Sequence, residues 1–306
     1  MRTGLALMAV VVASCAAAPA LADAPAARSG LTANPTAVVV QTAAPRPVAN
    51  ALAPEVTVTR EAASAIDTRL ASFPGRAAIV VADGNTGEAL LAIRRDAQVF
   101  AASLYKLGVL LEAERRIDAG ALRLDERITV TLADQAEAGS FTAAGTVLTI
   151  DEALERATVI SDNAAALALI RRFGVASVQA TLDREGIALR FTADGAITTA
   201  DAVATFFGEL IRGSLVSPAA SARMLARLAR QRVADRLPAA LPPGAVIAHK
   251  TGNLGFATHD AGIVRGPRDT PIVLVVLTWD SGEQEAIAVI REVAALIYDG
   301  LSLTAP

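Results

Sequence analysis

Strand signals in this chain sit at its two ends and almost nowhere between. "AAIVVAD" (77–83) and "EALLAIR" (88–94) flank the turn residues Gly84, Asn85 and Gly87, which reads as a hairpin. The pattern returns only after "LPPG" (241–244), in 246–251, 257–265 and "PIVLVVLTW" (271–279). Between them the apolar period is helical: 102–118 closed by Gly120, 150–158 opened by Thr149 and Glu152, then 164–173, 175–185, 199–212 and 218–231. Two further helices, 59–73 and roughly 282–299, precede and follow the strands. The two ends can share one antiparallel sheet, with the helical block inserted beside it. The reading is an α/β fold: an antiparallel sheet flanked by helices plus an all-α lobe over about 102–245, with a cleft between them.

The first 22 residues carry one arginine, an apolar run from Gly4 to Ala13 and then small residues, the architecture of a signal peptide and too short for a bilayer span. Ala20-Leu21-Ala22 fits a cleavage site; Val12-Ala13-Ser14-Cys15 fits a bacterial lipobox, which would leave a lipid anchor on Cys15. Simple cleavage is favoured. Either route implies a periplasmic or secreted protein, and Cys15, the only cysteine, leaves no disulfide. Residues 23–55, rich in alanine and broken by Pro35, Pro45, Pro47 and Pro54, read as a tether, and 56–306 as the folded domain. A net charge of −3 with no basic run gives no footprint for nucleic acid.

Lysine usage carries the first chemical information. Of 28 basic residues only two are lysine, Lys106 and Lys250. Arginine cannot be deprotonated in a protein, so a chain this biased toward it keeps lysine where a proton must be lost or a compact charge is needed. Lys106 follows Ser103 by three residues in "SLYK", at the start of an apolar helix. Lys250 opens "KTG" on a strand, where the cation and the Thr251 hydroxyl suit a carboxylate and Gly252 lets another chain approach the backbone. Ser161-Asp162-Asn163 lies at a junction between two helices, where it could serve only as an N-cap.

Each element alone is weak. S-x-x-K, then S-D-N 58 residues on, then K-T-G 89 residues further, is an ordered set that resembles the penicillin-recognising serine hydrolases, class A β-lactamases most closely. The resemblance runs over nearly all of 57–303, including "ASLYKLGVLLEAERRIDAGALRLDERI", "LTIDEALERATVISDNAAA" and "HKTGN…HDAGIV". It implies a class A β-lactamase-like (serine DD-peptidase) fold and catalytic roles for Ser103, Lys106 and Ser161. Ser103 would attack the amide carbonyl, and Lys106 would take its proton once burial and a neighbouring cation, Lys250, depress its pKa. Ser161 would relay a proton to the leaving nitrogen. Asn163 would hold Lys106 and the substrate's side-chain amide, and Lys250 and Thr251 the substrate carboxylate. The backbone N–H groups of Ser103 and Asn253 would form the oxyanion hole. His249 and His259, ten apart on neighbouring strands, match no metal pattern and are read as structural. No metal or organic cofactor is implied, and a monomer is expected.

The sequence departs from that family in one region. Class A enzymes place a deacylating glutamate in a loop between S-D-N and K-T-G. Here only twelve positions separate Gly186 from Thr198, Glu185 falls in the preceding helix, and Asp194 is the one carboxylate available. Leu167 stands where the family usually carries an asparagine that braces the loop. The expectation is a serine hydrolase that acylates on β-lactams and deacylates slowly. The rivals are a D-alanyl-D-alanine peptidase and a β-lactam-binding sensor that keeps its covalent adduct.

Overall fold

A computed structural model describes residues 56–303, Gly244 and Val246 apart. The segments assigned to leader and tether, with Cys15, lie outside the described residues. In chain order the first elements are β1 (Val56–Val58), α1 (Arg60–Ala71), β2 (Arg76–Asp83), β3 (Ala89–Ile93) and β4 (Val99–Phe100). A 3-10 turn (Ala102–Tyr105) leads into α2 (Lys106–Asp118), followed by β5 (Arg127–Thr129), a second 3-10 turn (Leu132–Gln135), β6 (Val147–Thr149) and α3 (Ile150–Val159). Next come α4 (Asn163–Phe173), α5 (Val175–Arg184), β7 (Arg190–Thr192), β8 (Gly195–Thr198), α6 (Ala200–Arg212), α7 (Pro218–Leu228) and α8 (Leu237–Ala240). The chain returns as β9 (Ile247–Asn253), β10 (Ala257–Arg265), β11 (Pro271–Trp279), α9 (Glu283–Gly300) and β12 (Leu301–Leu303).

The two ends do share a sheet. Its order is β3-β2-β11-β10-β9, antiparallel throughout, with Leu274 opposite Val81 across the join. Both faces are covered, which explains why β11 reads as a continuous apolar run rather than an alternation. Ile272, Leu274 and Val276 pack with Ile79 and Val81 against Val289, Ile290 and Val293 of α9. Val273, Val275 and Leu277 face the other way, into the larger core with Leu107, Leu110 and Leu111 of α2. Each such side chain contributes about 1.5–3 kcal/mol of transfer free energy when buried.

α2 runs through that larger core, buried from Lys106 to Glu114. An apolar helix with a lysine as its first buried residue is the local conflict that marks the site. The lobe expected to be all-helical also carries a hairpin, β5-β6, and a three-stranded sheet, β4-β8-β7. Strands of two to four residues give too short an alternation to separate from loop in sequence. The second sheet corrects the reading of 186–198: the segment is a hairpin whose inner strand pairs Ile197 with Phe100. Glu185 caps α5 and pairs with Arg115 at 2.8 Å, away from any catalytic use.

Candidate active site

Ser103 does not begin the α-helix, as its spacing from Lys106 suggests; it sits in the preceding 3-10 turn. The residue before it, Ala102, holds φ at +46°, in the left-handed region that non-glycine residues rarely adopt. Two contacts hold this turn. The Ala101 N–H donates to Ala196 O at 2.7 Å, so the short hairpin braces the approach to the nucleophile. His259 Nε2 pairs with Phe100 O at 2.8 Å while its Nδ1 accepts from the Thr278 N–H at 3.2 Å. That pairing makes the ring a neutral Nε2–H donor, and burial accordingly lowers its pKa to about 4. His249, on the adjacent strand, is buried with Nδ1 2.8 Å from Asp260 Oδ1. Both histidines lock strands to their surroundings, as expected from the sequence.

The Lys106 ammonium lies 3.1 Å from Ser103 Oγ, 2.6 Å from Ser161 O and 3.1 Å from Ser161 Oγ, and it donates to Asn163 Oδ1. It is 3% exposed, and burial lowers its pKa to about 7 against the opposing pull of the Glu137 and Asp162 carboxylates. The neighbouring cation expected from the sequence is Lys250. Lys250, 1% exposed, is itself pushed well below an ordinary lysine, by burial first and by the charge of Lys106 second. Burial alone suffices for Lys106, because its side chain leaves the first turn of a helix that is buried on all sides.

Ser161 stands between the two lysines, 2.9 Å from Lys250 Nζ on its far side. Its φ of +57° is a second strained backbone at the same place. The N-cap reading of S-D-N is correct for its middle member. Asp162 caps α4 by accepting from Ala164 N at 3.0 Å, and it also accepts from Phe141 N at 2.9 Å and from the Thr142 hydroxyl. The cap and the site are one device: fixing Asp162 projects Ser161 and Asn163 to either side of Lys106.

Lys250, Thr251, Gly252 and Asn253 run along β9, the edge strand that faces the nucleophile turn. Gly252 leaves room for this close approach. A Cβ there would lie 3.1 Å from Ala102 Cβ, 3.2 Å from Ala101 O and 3.2 Å from His259 Cδ2. Asn253 ends the strand, its side chain accepting from Gly255 N at 2.8 Å and donating to Glu283. All eight residues singled out in the sequence therefore lie on the nucleophile turn with Lys106, on the S-D-N junction or on the facing strand β9. Sequence reasoning missed Arg236. It is 3% exposed behind β9, donates to His259 O at 3.2 Å and Gly252 O at 3.4 Å, and adds to the depression of Lys250. With 26 arginines in the chain, nothing in the sequence marks this one.

Among the described residues, no group of three or more histidine, cysteine or carboxylate side chains is placed to hold a metal ion. What the arrangement offers is a hydroxyl beside a lysine that is readily deprotonated near neutral pH, a second hydroxyl bridging to another buried lysine, and an open strand edge.

Comparison with known proteins gives the same picture. The family model described as "Beta-lactamase enzyme family" matches residues 61–301. A β-lactamase of Streptomyces lavendulae is 30% identical over 173 residues, covering 50% of this chain and 56% of that protein. The chain spans about half the length, or less, of the curated relatives it matches. Among solved structures, an ancestral class A β-lactamase superimposes with a TM-score of 0.72 at 28% identity, covering 78% of this chain and 99% of that one. A point mutant of PBP-A, solved as an acyl-enzyme complex with penicillin G, gives 0.73 at 26% identity, covering 81% and 98%.

Proposed function

Because the chain belongs to the beta-lactamase enzyme family, we propose that it is a class A-like serine hydrolase that opens the cyclic amide of β-lactams through an acyl-enzyme on Ser103. The observation that carries this reading is Lys106 Nζ, buried, 3.1 Å from Ser103 Oγ, with a pKa of about 7. At neutral pH a large fraction of it is unprotonated and can accept the serine proton, as an exposed lysine could not.

Neutral Lys106 takes the proton from Ser103 as Oγ attacks the lactam carbonyl carbon. The developing oxyanion meets the backbone N–H groups of Ser103 and Asn253. The proton then passes from Lys106 to Ser161, 3.1 Å away, and from Ser161 to the departing ring nitrogen. Lys250 suits the site to an anionic substrate. Its charge is costly in a buried site flanked by Lys106 and Arg236, and an arriving carboxylate supplies a countercharge. Thr251 completes the carboxylate site and Asn163 the contact with the substrate's side-chain amide. From the signal-peptide architecture of residues 1–22 we further propose that the mature protein acts outside the cytoplasm.

Time-resolved intact mass with benzylpenicillin tests the reading. The parent protein is expected to gain one penicillin per chain on Ser103, and Ser103→Ala none while its melting temperature holds. Labelling that survives Ser103→Ala sinks the assignment.

A further inference from the structure

An ester on Ser103 is released only if a water molecule is activated against it, and the structure removes the sequence's one candidate for that task. Asp194 lies exposed in the turn between β7 and β8 and makes no hydrogen bond or ion pair among the described residues. The question becomes which carboxylate stands at the nucleophile.

Two carboxylates act on the charge of Lys106, Asp162 and Glu137. Asp162 is fully buried, and its oxygens are occupied by the Ala164 and Phe141 N–H groups and the Thr142 hydroxyl. Glu137 differs in every respect. It is half-buried although it belongs to no helix or strand, and it has no hydrogen-bond or ion-pair partner among the described residues. The two residues after it are held by Asn163, which donates its backbone N–H to Gly139 O at 3.1 Å and its side-chain amide to Ala138 O. The same Asn163 accepts from Lys106. One side chain therefore ties the segment just after Glu137 to the base of the nucleophile.

A second residue reports the placement. The Glu137 charge also acts on Tyr105, whose ring lies edge-on to Phe191 of the hairpin at 6.1 Å. Glu137 thus approaches the 3-10 turn on its Tyr105–Lys106 side. Two buried hydroxyls on these same segments, Tyr105 Oη and Ser140 Oγ, lack partners. Buried hydroxyls without protein partners are groups that an ordered water can satisfy. Burial raises the Glu137 carboxyl pKa against the opposing pull of the Lys106 cation, which strengthens it as a base.

We propose that Glu137 is the general base of the second half-reaction, activating the water that hydrolyses the acyl-enzyme; the proposal rests on the acyl-enzyme reading above. Glu137 takes a proton from water as the water oxygen bonds to the acyl carbon. The tetrahedral intermediate collapses by breaking the bond to Ser103 Oγ. The proton on Glu137 returns to Oγ through neutral Lys106, 3.1 Å from it. The product leaves as a free carboxylic acid, which ionises in solvent. No co-reactant beyond water is consumed.

The experiment uses the full chain with benzylpenicillin, acylation being read by intact mass at short times and turnover by loss of the lactam absorbance. Glu137→Gln is nearly isosteric. It is expected to acylate within a few-fold of the parent rate, which also shows that it is folded. Its adduct should persist at least ~100-fold longer, with steady-state turnover reduced by the same factor, the lower end of general-base contributions. Asp194→Asn should leave both rates within about two-fold. An adduct of unchanged lifetime in Glu137→Gln, or a parent adduct that never turns over, overturns the assignment of Glu137 and leaves the acyl-enzyme reading intact. Equal slowing of both steps overturns it too, because it means that Glu137 acts only through the charge of Lys106. Absence of any adduct on the parent overturns the acyl-enzyme reading and this proposal together.

Discussion

Replacing Lys106 by methionine should abolish acylation and make the protein more stable. The side chain is 3% exposed and its pKa is about 7 in the fold, against 10.5 for an ordinary lysine. Below about pH 7 both folded and unfolded chains carry the proton, and the fold bears the whole cost of burying the charge. That difference amounts to about 5 kcal/mol. Between about pH 7 and 10.5 the unfolded chain holds more protons than the folded one, so the parent's stability rises with pH and the cost fades. Methionine fills the same volume without it. Against this gain stand the hydrogen bonds to Ser103 Oγ, Ser161 O, Ser161 Oγ and Asn163 Oδ1. Ser103, Ser161 and Asn163 are only partly buried and can turn to solvent, and Ser161 Oγ keeps Lys250. One lost backbone partner, at about 1–3 kcal/mol, is the main offset. Urea unfolding followed by circular dichroism should therefore show Lys106→Met more stable than the parent by about 2–4 kcal/mol at pH 6. The advantage should shrink steadily toward pH 10. A variant less stable than the parent at pH 6, or a difference that ignores pH, would refute the claim that Lys106 is held deprotonated by burial.

Two further outcomes follow from the same geometry. Lys106→Arg keeps the charge but cannot lose it, so acylation by benzylpenicillin should fall at least ~100-fold; the parent's acylation rate should climb as pH rises through about 7, and the variant's should not. Gly262→Ala places a Cβ 2.4 Å from Ala248 O and 2.6 Å from His249 Cβ on β9, where backbone must move; a loss of about 3 kcal/mol in urea unfolding is expected, with slower acylation because Lys250 lies on the displaced strand.

The chemistry of the first half-reaction was legible in the sequence because its two lysines are the only ones in the chain and its residues stand in fixed local contexts. Ser103 and Lys106 are one helical turn apart, Ser161 and Asn163 flank a cap, and Lys250 to Asn253 are consecutive on a strand. Local geometry within each motif depends on spacing, and spacing is written in the chain. The sheet was legible for a similar reason: its five apolar strands lie at the two ends of the chain, and their backbone groups pair with one another.

What the sequence could not decide was anything set by distance between segments. The depression of the two lysines depends on how deeply α2 and β9 are buried and on how close the fold brings their charges. The hairpin that replaced an expected loop is fixed by pairing with Phe100, nearly a hundred residues earlier. Arg236 is one arginine of 26 until the sheet sets it behind Gly252. Glu137 belongs to no motif and lies on no regular element. It becomes chemically meaningful only because Asn163, 26 residues on, gathers its segment against Lys106. Charges act through space with a strength set by separation and burial, and neither quantity exists before the chain has folded.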